Sequence, residues 1–129
     1  MSKTILIADD EPNIVAAIRF LLQSNGYGVH VASNGEEALE LVASVVPDLV
    51  ILDVMMPKKS GYEVCARIRE NEQWRHIKVI MLSAKGREAE VVKGMTMGAD
   101  LYMTKPFSTR ELMARIRDLL DRASPQDAA

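Results

Sequence analysis

Four places in the sequence put chemically active side chains directly after short apolar runs. Ile5 to Ala8 is followed by Asp9, Asp10 and Glu11, Leu49 to Leu52 by Asp53, Val79 to Leu82 by Ser83, and Leu101 to Thr104 by Lys105 and Pro106. Branched apolar runs of this length read as strands buried on both faces. Carboxylates gathered where such strands surface cannot all stay ionised without a compensating cation, because each raises the proton affinity of the others. Oxygen donors without His or Cys suit a hard divalent ion, Mg²⁺ or Mn²⁺, which keeps several waters and is completed by a phosphate. Ser83 and Lys105 offer that phosphate a hydroxyl donor and a fixed positive charge, and phosphoryl transfer depends mainly on positioning and charge neutralisation. A carboxylate can itself be the nucleophile, through an aspartyl phosphate. Asp53, the lone acid at the end of its strand, is the candidate. Taken singly, the residues have plainer roles: Asp9 and Glu11 as acids beside a positive helix N-terminus, Ser83 as a helix cap, Lys105 as a surface lysine. The helix-terminus role leaves Asp53, on another strand, unexplained.

The elements that must hold these residues alternate along the chain. Strands are expected over Thr4 to Ala8, Val29 to Ala32, Leu49 to Leu52, Val79 to Leu82 and Leu101 to Thr104, with a helical period between each pair and after the last. The first helix opens at Pro12 and stops near Asn25-Gly26; the second starts at Asn34, with Glu37 placed for a capping box, and is ended by Pro47. The third runs from about Gly61 to Asn71. The fourth runs from about Arg87 to Met97 and ends at Gly98 in the left-handed region, and the fifth starts with the Ser108-x-x-Glu111 box. Strict alternation implies right-handed crossovers and an α/β fold, a doubly wound five-stranded parallel sheet covered on both faces. In its common order, 2-1-3-4-5, strands 1 and 3 are neighbours at the switch point, where ligands bind beyond the carboxyl ends. Asp9, Asp10 and Asp53 then converge.

At 129 residues the chain has room for one ordinary domain. The domain is expected over residues 1–122, with residues 123–129 as a flexible tail lacking apolar period. A net charge of −2 with interspersed signs offers no basic field for a nucleic-acid backbone. The single cysteine, Cys65, excludes an internal disulfide and reads as a small core residue. No stretch approaches the roughly 18 apolar residues of a membrane span, and the start lacks a signal-peptide pattern, so a cytoplasmic, water-soluble domain is expected.

In order and spacing, ILIADDEP, LVILDVMMPKKSGYEV, VIMLSA and GADLYMTKPF resemble the receiver domain of bacterial two-component response regulators, over nearly the whole chain. The resemblance implies a flavodoxin-like receiver fold with Asp53 as phosphoryl acceptor. It implies Asp10, Asp53 and the main-chain carbonyl of Met55 as Mg²⁺ ligands, and Asp9 acting through water. Lys105 and Ser83 would contact the phosphoryl group, Tyr102 would move with Ser83 on activation, and the Lys105-Pro106 bond would be cis. The implied partners are a histidine kinase or phosphotransfer protein and a downstream effector protein or domain. The implied state is a monomer or a phosphorylation-dependent dimer, and the output surface is the face of helix 4, strand 5 and helix 5. Lys93, Asp100, Glu111 and Arg115 are similar to the charged set that pairs across receiver dimers, but Leu101 replaces a usual second acid, which argues against pairing there. Met55 and Lys85 stand where a hydrolytic water would approach and imply slow self-dephosphorylation. The domain would catalyse its own phosphorylation and dephosphorylation without being a conventional turnover enzyme.

Competing assignments fail on particular residues. An aspartate-nucleophile phosphohydrolase needs a second acid two residues after Asp53, where Met55 stands, and a nucleotide-binding domain needs a glycine-rich loop directly after the first strand. A phosphorylation-independent interaction scaffold of the same fold is the remaining alternative; such a domain is expected to lose Asp53 or Lys105, and both are present.

Overall fold

The computed structural model describes residues 3–84 and 86–128, with side chains through Asp121. Five strands, β1 (Thr4–Ala8), β2 (Gly28–Ala32), β3 (Leu49–Leu52), β4 (Lys78–Ser83) and β5 (Leu101–Thr104), alternate with five helices, α1 (Pro12–Ser24), α2 (Gly35–Val45), α3 (Gly61–Glu70), α4 (Glu88–Thr96) and α5 (Thr109–Ala128). A short 3₁₀ turn, Glu72–Trp74, leads from α3 towards β4. The strands are all parallel in the order β2-β1-β3-β4-β5. This is the expected doubly wound arrangement. None of the described helices is long and apolar enough to cross a membrane.

Alternation along the strands divides the core into two layers. Leu6, Ala8, Val50, Leu52, Val79 and Met81 face α2 and α3, where Ala38, Val42, Val64, Cys65 and Ile68 meet them. Ile5, Ile7, Leu49, Ile51, Ile80 and Leu82 face α1 and α5, meeting Ile18, Leu22, Leu112 and Ile116. Full burial of each large apolar side chain contributes about 1.5–3 kcal/mol. A one-residue slip of any strand would exchange its two faces, which fixes the register that aligns the strand ends.

Helix termini follow local chemistry with some departures from expectation. Pro12 opens α1, and Gly98, after α4, has φ +110°. Asn34 caps α2 by accepting from the Glu37 N–H at 2.8 Å, but Glu37 reaches back to the N–H of Ser33 at 2.7 Å, one residue before the cap. Ser108 accepts from the Glu111 N–H at 3.1 Å, while the Glu111 carboxylate turns to Arg115, 3.9 Å away. The α5 backbone continues past Arg122, where the sequence places the domain boundary.

Two glycines are required by close approach of backbone. A Cβ on Gly61 would collide with the Asp53 carbonyl, and one on Gly35 with the Lys59 carbonyl. The loop after Asp53 is thereby wedged between the N-termini of α2 and α3. Further along α3, Arg69 donates to the carbonyls of Gly98 at 2.8 Å and Ile77 at 2.7 Å and to the Asp100 carboxylate at 2.9 Å. Asp100 in turn accepts from the Val79 N–H at 2.8 Å. One guanidinium therefore ties α3 to the starts of β4 and β5.

Candidate functional site

Parallel pairing carries the site residues to one edge of the sheet. The ladder continues one step beyond the strands: the Asp9 N–H donates to the Ala32 carbonyl at 3.1 Å, the Asp53 N–H to the Ala8 carbonyl at 2.9 Å, and the Lys105 N–H to the Ser83 carbonyl at 2.8 Å. Asp9 and Asp53 thus leave neighbouring strands side by side. Carboxylate oxygens of Asp9, Asp10 and Asp53 all lie within 4.8 Å of one another. Asp9 and Asp53 are buried and Asp10 is exposed, so the cluster opens to solvent on the Asp10 side.

The cluster's counter-charge is Lys105. Its ammonium lies 3.0 Å from Asp9 Oδ2, 3.5 Å from Asp53 Oδ2 and 2.5 Å from Glu11 Oε1. Its side chain is only 10% exposed, which removes the plain surface-lysine reading. Burial disfavours the ammonium, but the hydrogen bonds it donates to Glu11 and Asp9 and the charge of Asp53 outweigh it and hold the group above the ordinary lysine value. Burial raises the Asp9 carboxyl above its usual value, against the opposing bonds from the Glu11 N–H and Lys105; the Asp53 charge adds to the rise. One ammonium among four acids leaves the site short of positive charge. This is the condition in which a hard divalent ion is favoured, and the three clustered carboxylates, all oxygen donors, fit one.

The other expected site residues fall around this centre. Met55 donates its N–H to Asp53 Oδ1 at 3.1 Å, so its backbone lies against the carboxylate while its side chain, 57% exposed, stands in solvent. Ser83 ends β4 and is fully buried. The Lys105-Pro106 bond is cis. Tyr102 is half-buried and packs under α4 because Gly94 has no side chain: a Cβ there would lie 2.8 Å from Tyr102 Cδ2 and 3.0 Å from Met81 Sδ. Tyr102 lies beside Tyr62 on α3, whose hydroxyl donates to the Glu90 carbonyl at 3.2 Å. Lys85 lies outside the described residues.

Sequence reasoning left Glu11 out of the site and Tyr62 out of the Tyr102 environment. Glu11 carried one signal, its adjacency to two site acids. Tyr62 carried none, being one more aromatic on a helix. The charged set of the α4–β5–α5 face is largely engaged within the chain: the Lys93 ammonium lies 4.5 Å from the Tyr62 ring centroid, Asp100 is held by Arg69, and Glu111 faces Arg115.

Five parallel strands in this order, with five helices, define a CheY-like doubly wound domain. The sequence model described as "Response regulator receiver domain" matches residues 5–117, and the chain belongs to that family, the receiver domains of two-component systems. It is 46% identical over 123 residues to the alkaline phosphatase synthesis transcriptional regulatory protein PhoP of Bacillus subtilis, covering 95% of this chain and 50% of that protein. It is 43% identical over 129 residues to the response regulator MprA of Mycobacterium tuberculosis, covering 100% of this chain and 55% of that protein. The chain thus spans about half the length of these relatives. Among solved structures, the BeF3-activated N-terminal receiver domain of Klebsiella pneumoniae RstA superposes with a TM-score of 0.84 at 30% identity, covering 91% of this chain and 97% of that one.

Proposed function

We propose that this domain takes a phosphoryl group from the phosphohistidine of a histidine kinase or phosphotransfer protein onto Asp53. The observation that carries the reading is the convergence of Asp9, Asp10 and Asp53 within 4.8 Å, with the Lys105 ammonium reaching Asp9 and Asp53 from the end of a third strand. In the transfer an Asp53 carboxylate oxygen forms a bond to phosphorus as the phosphorus–nitrogen bond breaks, and the imidazole leaves. Lys105 neutralises a phosphoryl oxygen, and Ser83 donates its hydroxyl to another. Asp10, Asp53 and the Met55 carbonyl would hold Mg²⁺, with Mn²⁺ as a substitute and Asp9 acting through water; the ion would neutralise the remaining oxygen charge.

Once the phosphoryl dianion recruits Ser83, Tyr102 follows, and the population of the α4–β5–α5 face shifts towards an effector protein or domain. The 1–122 unit acts in the cytoplasm, as a monomer or a phosphorylation-dependent dimer, with no direct part in nucleic-acid binding. Hydrolysis is slow, since the exposed Met55 side chain beside Asp53 cannot orient a water as a carboxylate or amide would. Acetyl phosphate with Mg²⁺ should give a base-labile adduct of one phosphate, absent from Asp53→Asn. A phosphate mapped to Ser83 instead would reduce Asp53 to a metal ligand and sink the mechanism.

A further inference from the structure

Lys105 has three N–H bonds, and the three carboxylates around it are not equivalent. Asp9 and Asp53 are buried, their side chains 2% and 5% exposed, whereas Glu11 is 56% exposed and stands closest to the ammonium. Glu11 occupies the N-cap position of α1, yet its side chain makes no capping hydrogen bond. It reaches instead to a lysine 94 residues away. The backbone fixes that reach, because the Glu11 N–H donates to Asp9 Oδ1 at 2.9 Å and so anchors residue 11 over the acid cluster. For Lys105 to donate to a phosphoryl oxygen, one of its present partners must be released. Releasing Asp9 would strand a charge in a buried site, and Asp53 gives up its charge only once its bond to phosphorus has formed, while Glu11 can return to water before that step.

We propose that Glu11 is a positioning residue that competes with the incoming phosphoryl group for the Lys105 ammonium, and so sets how readily Asp53 is phosphorylated. The inference rests on Asp53 being the acceptor. It makes Glu11 a brake: in the resting domain it draws the ammonium to its own side of the pocket, 3.5 Å from Asp53. Removing the carboxylate frees the lysine without disturbing the buried acids.

The experiment titrates trifluoroberyllate, a mimic of the phosphoryl group, into the wild-type domain and into Glu11→Gln and Glu11→Asp, at saturating Mg²⁺, with bound fluoride read by ¹⁹F NMR. Glu11→Gln should bind the mimic about two- to five-fold more tightly, the worth of a partly exposed ion pair. Glu11→Asp keeps the charge but loses the reach, and should behave like Glu11→Gln. If Glu11→Asp matches the wild type while Glu11→Gln binds tighter, the effect is one of general charge and the competition is refuted. Unchanged or weaker binding by Glu11→Gln, with normal binding by the wild type, overturns the inference and leaves Asp53 as acceptor. No binding by the wild type removes both.

Discussion

The notch at Gly94 can be tested by filling it. Gly94→Ala would place a methyl group 2.8 Å from Tyr102 Cδ2, 3.1 Å from Tyr102 Cε2 and 3.0 Å from Met81 Sδ, well inside the roughly 3.5–4.0 Å of a comfortable carbon contact. Alanine in a helix interior is favoured over glycine by about 1 kcal/mol. Overpacking costs about 1–3 kcal/mol, and Met81, fully buried in the sheet, has nowhere to retreat. Tyr102 is half-buried at the edge and can swing outward, giving up part of its packing under α4. The expected net effect is a destabilisation of up to about 2 kcal/mol in urea unfolding. In a Tyr102→Ala background the ring is gone, and the same substitution should cost about 1 kcal/mol less or become neutral, a coupling that a double-mutant cycle resolves. Equal costs in the two backgrounds would show that the methyl group does not meet Tyr102, and the account of Gly94 would be wrong.

Arg69→Met should destabilise by about 2–4 kcal/mol in urea, because it strips three carbonyls of their donor and leaves Asp100 without its counter-charge in a half-buried site; a loss under about 0.5 kcal/mol would show that water replaces the guanidinium freely. Burial pushes the Cys65 thiol from 9.0 up to about 11. A raised value means its contribution to stability is complete below pH 9 and is lost as the pH climbs through 11. Unfolding free energy measured across that window should fall by up to about 1.4 kcal/mol per pH unit, and less steeply in Cys65→Ala.

The strands were legible because β1 and β3 are buried on both faces and so read as unbroken apolar runs, and the helix boundaries because Pro12, Asn34 and Gly98 have one good structural use each. With the alternation fixed, the switch-point rule brought Asp9, Asp10 and Asp53 together without any coordinates. What stayed hidden were choices among partners. Glu37 had several N–H groups within reach and took that of Ser33; Ser60, which caps α3 by accepting from the Glu63 N–H at 3.2 Å, lay in a polar loop where many residues could cap. The β4 ends, Lys78 and Ser83, are polar and fell outside the apolar run. Glu11's direction depends on where Lys105 comes to rest 94 residues later, which no local pattern encodes.

The contacts at Gly35 and Gly61 bear on how such domains can be recombined. The Lys59 carbonyl sits where a side chain at position 35 would begin, and the Asp53 carbonyl does the same at position 61. A chimera that takes α2 from one relative and the segment after β3 from another will accept the graft only if both parents bring glycine to these two places, however well their cores match. The exchangeable unit in this half of the domain therefore runs without a seam from the start of α2 to the start of α3, and a crossover within it is expected to yield insoluble protein unless both glycines survive.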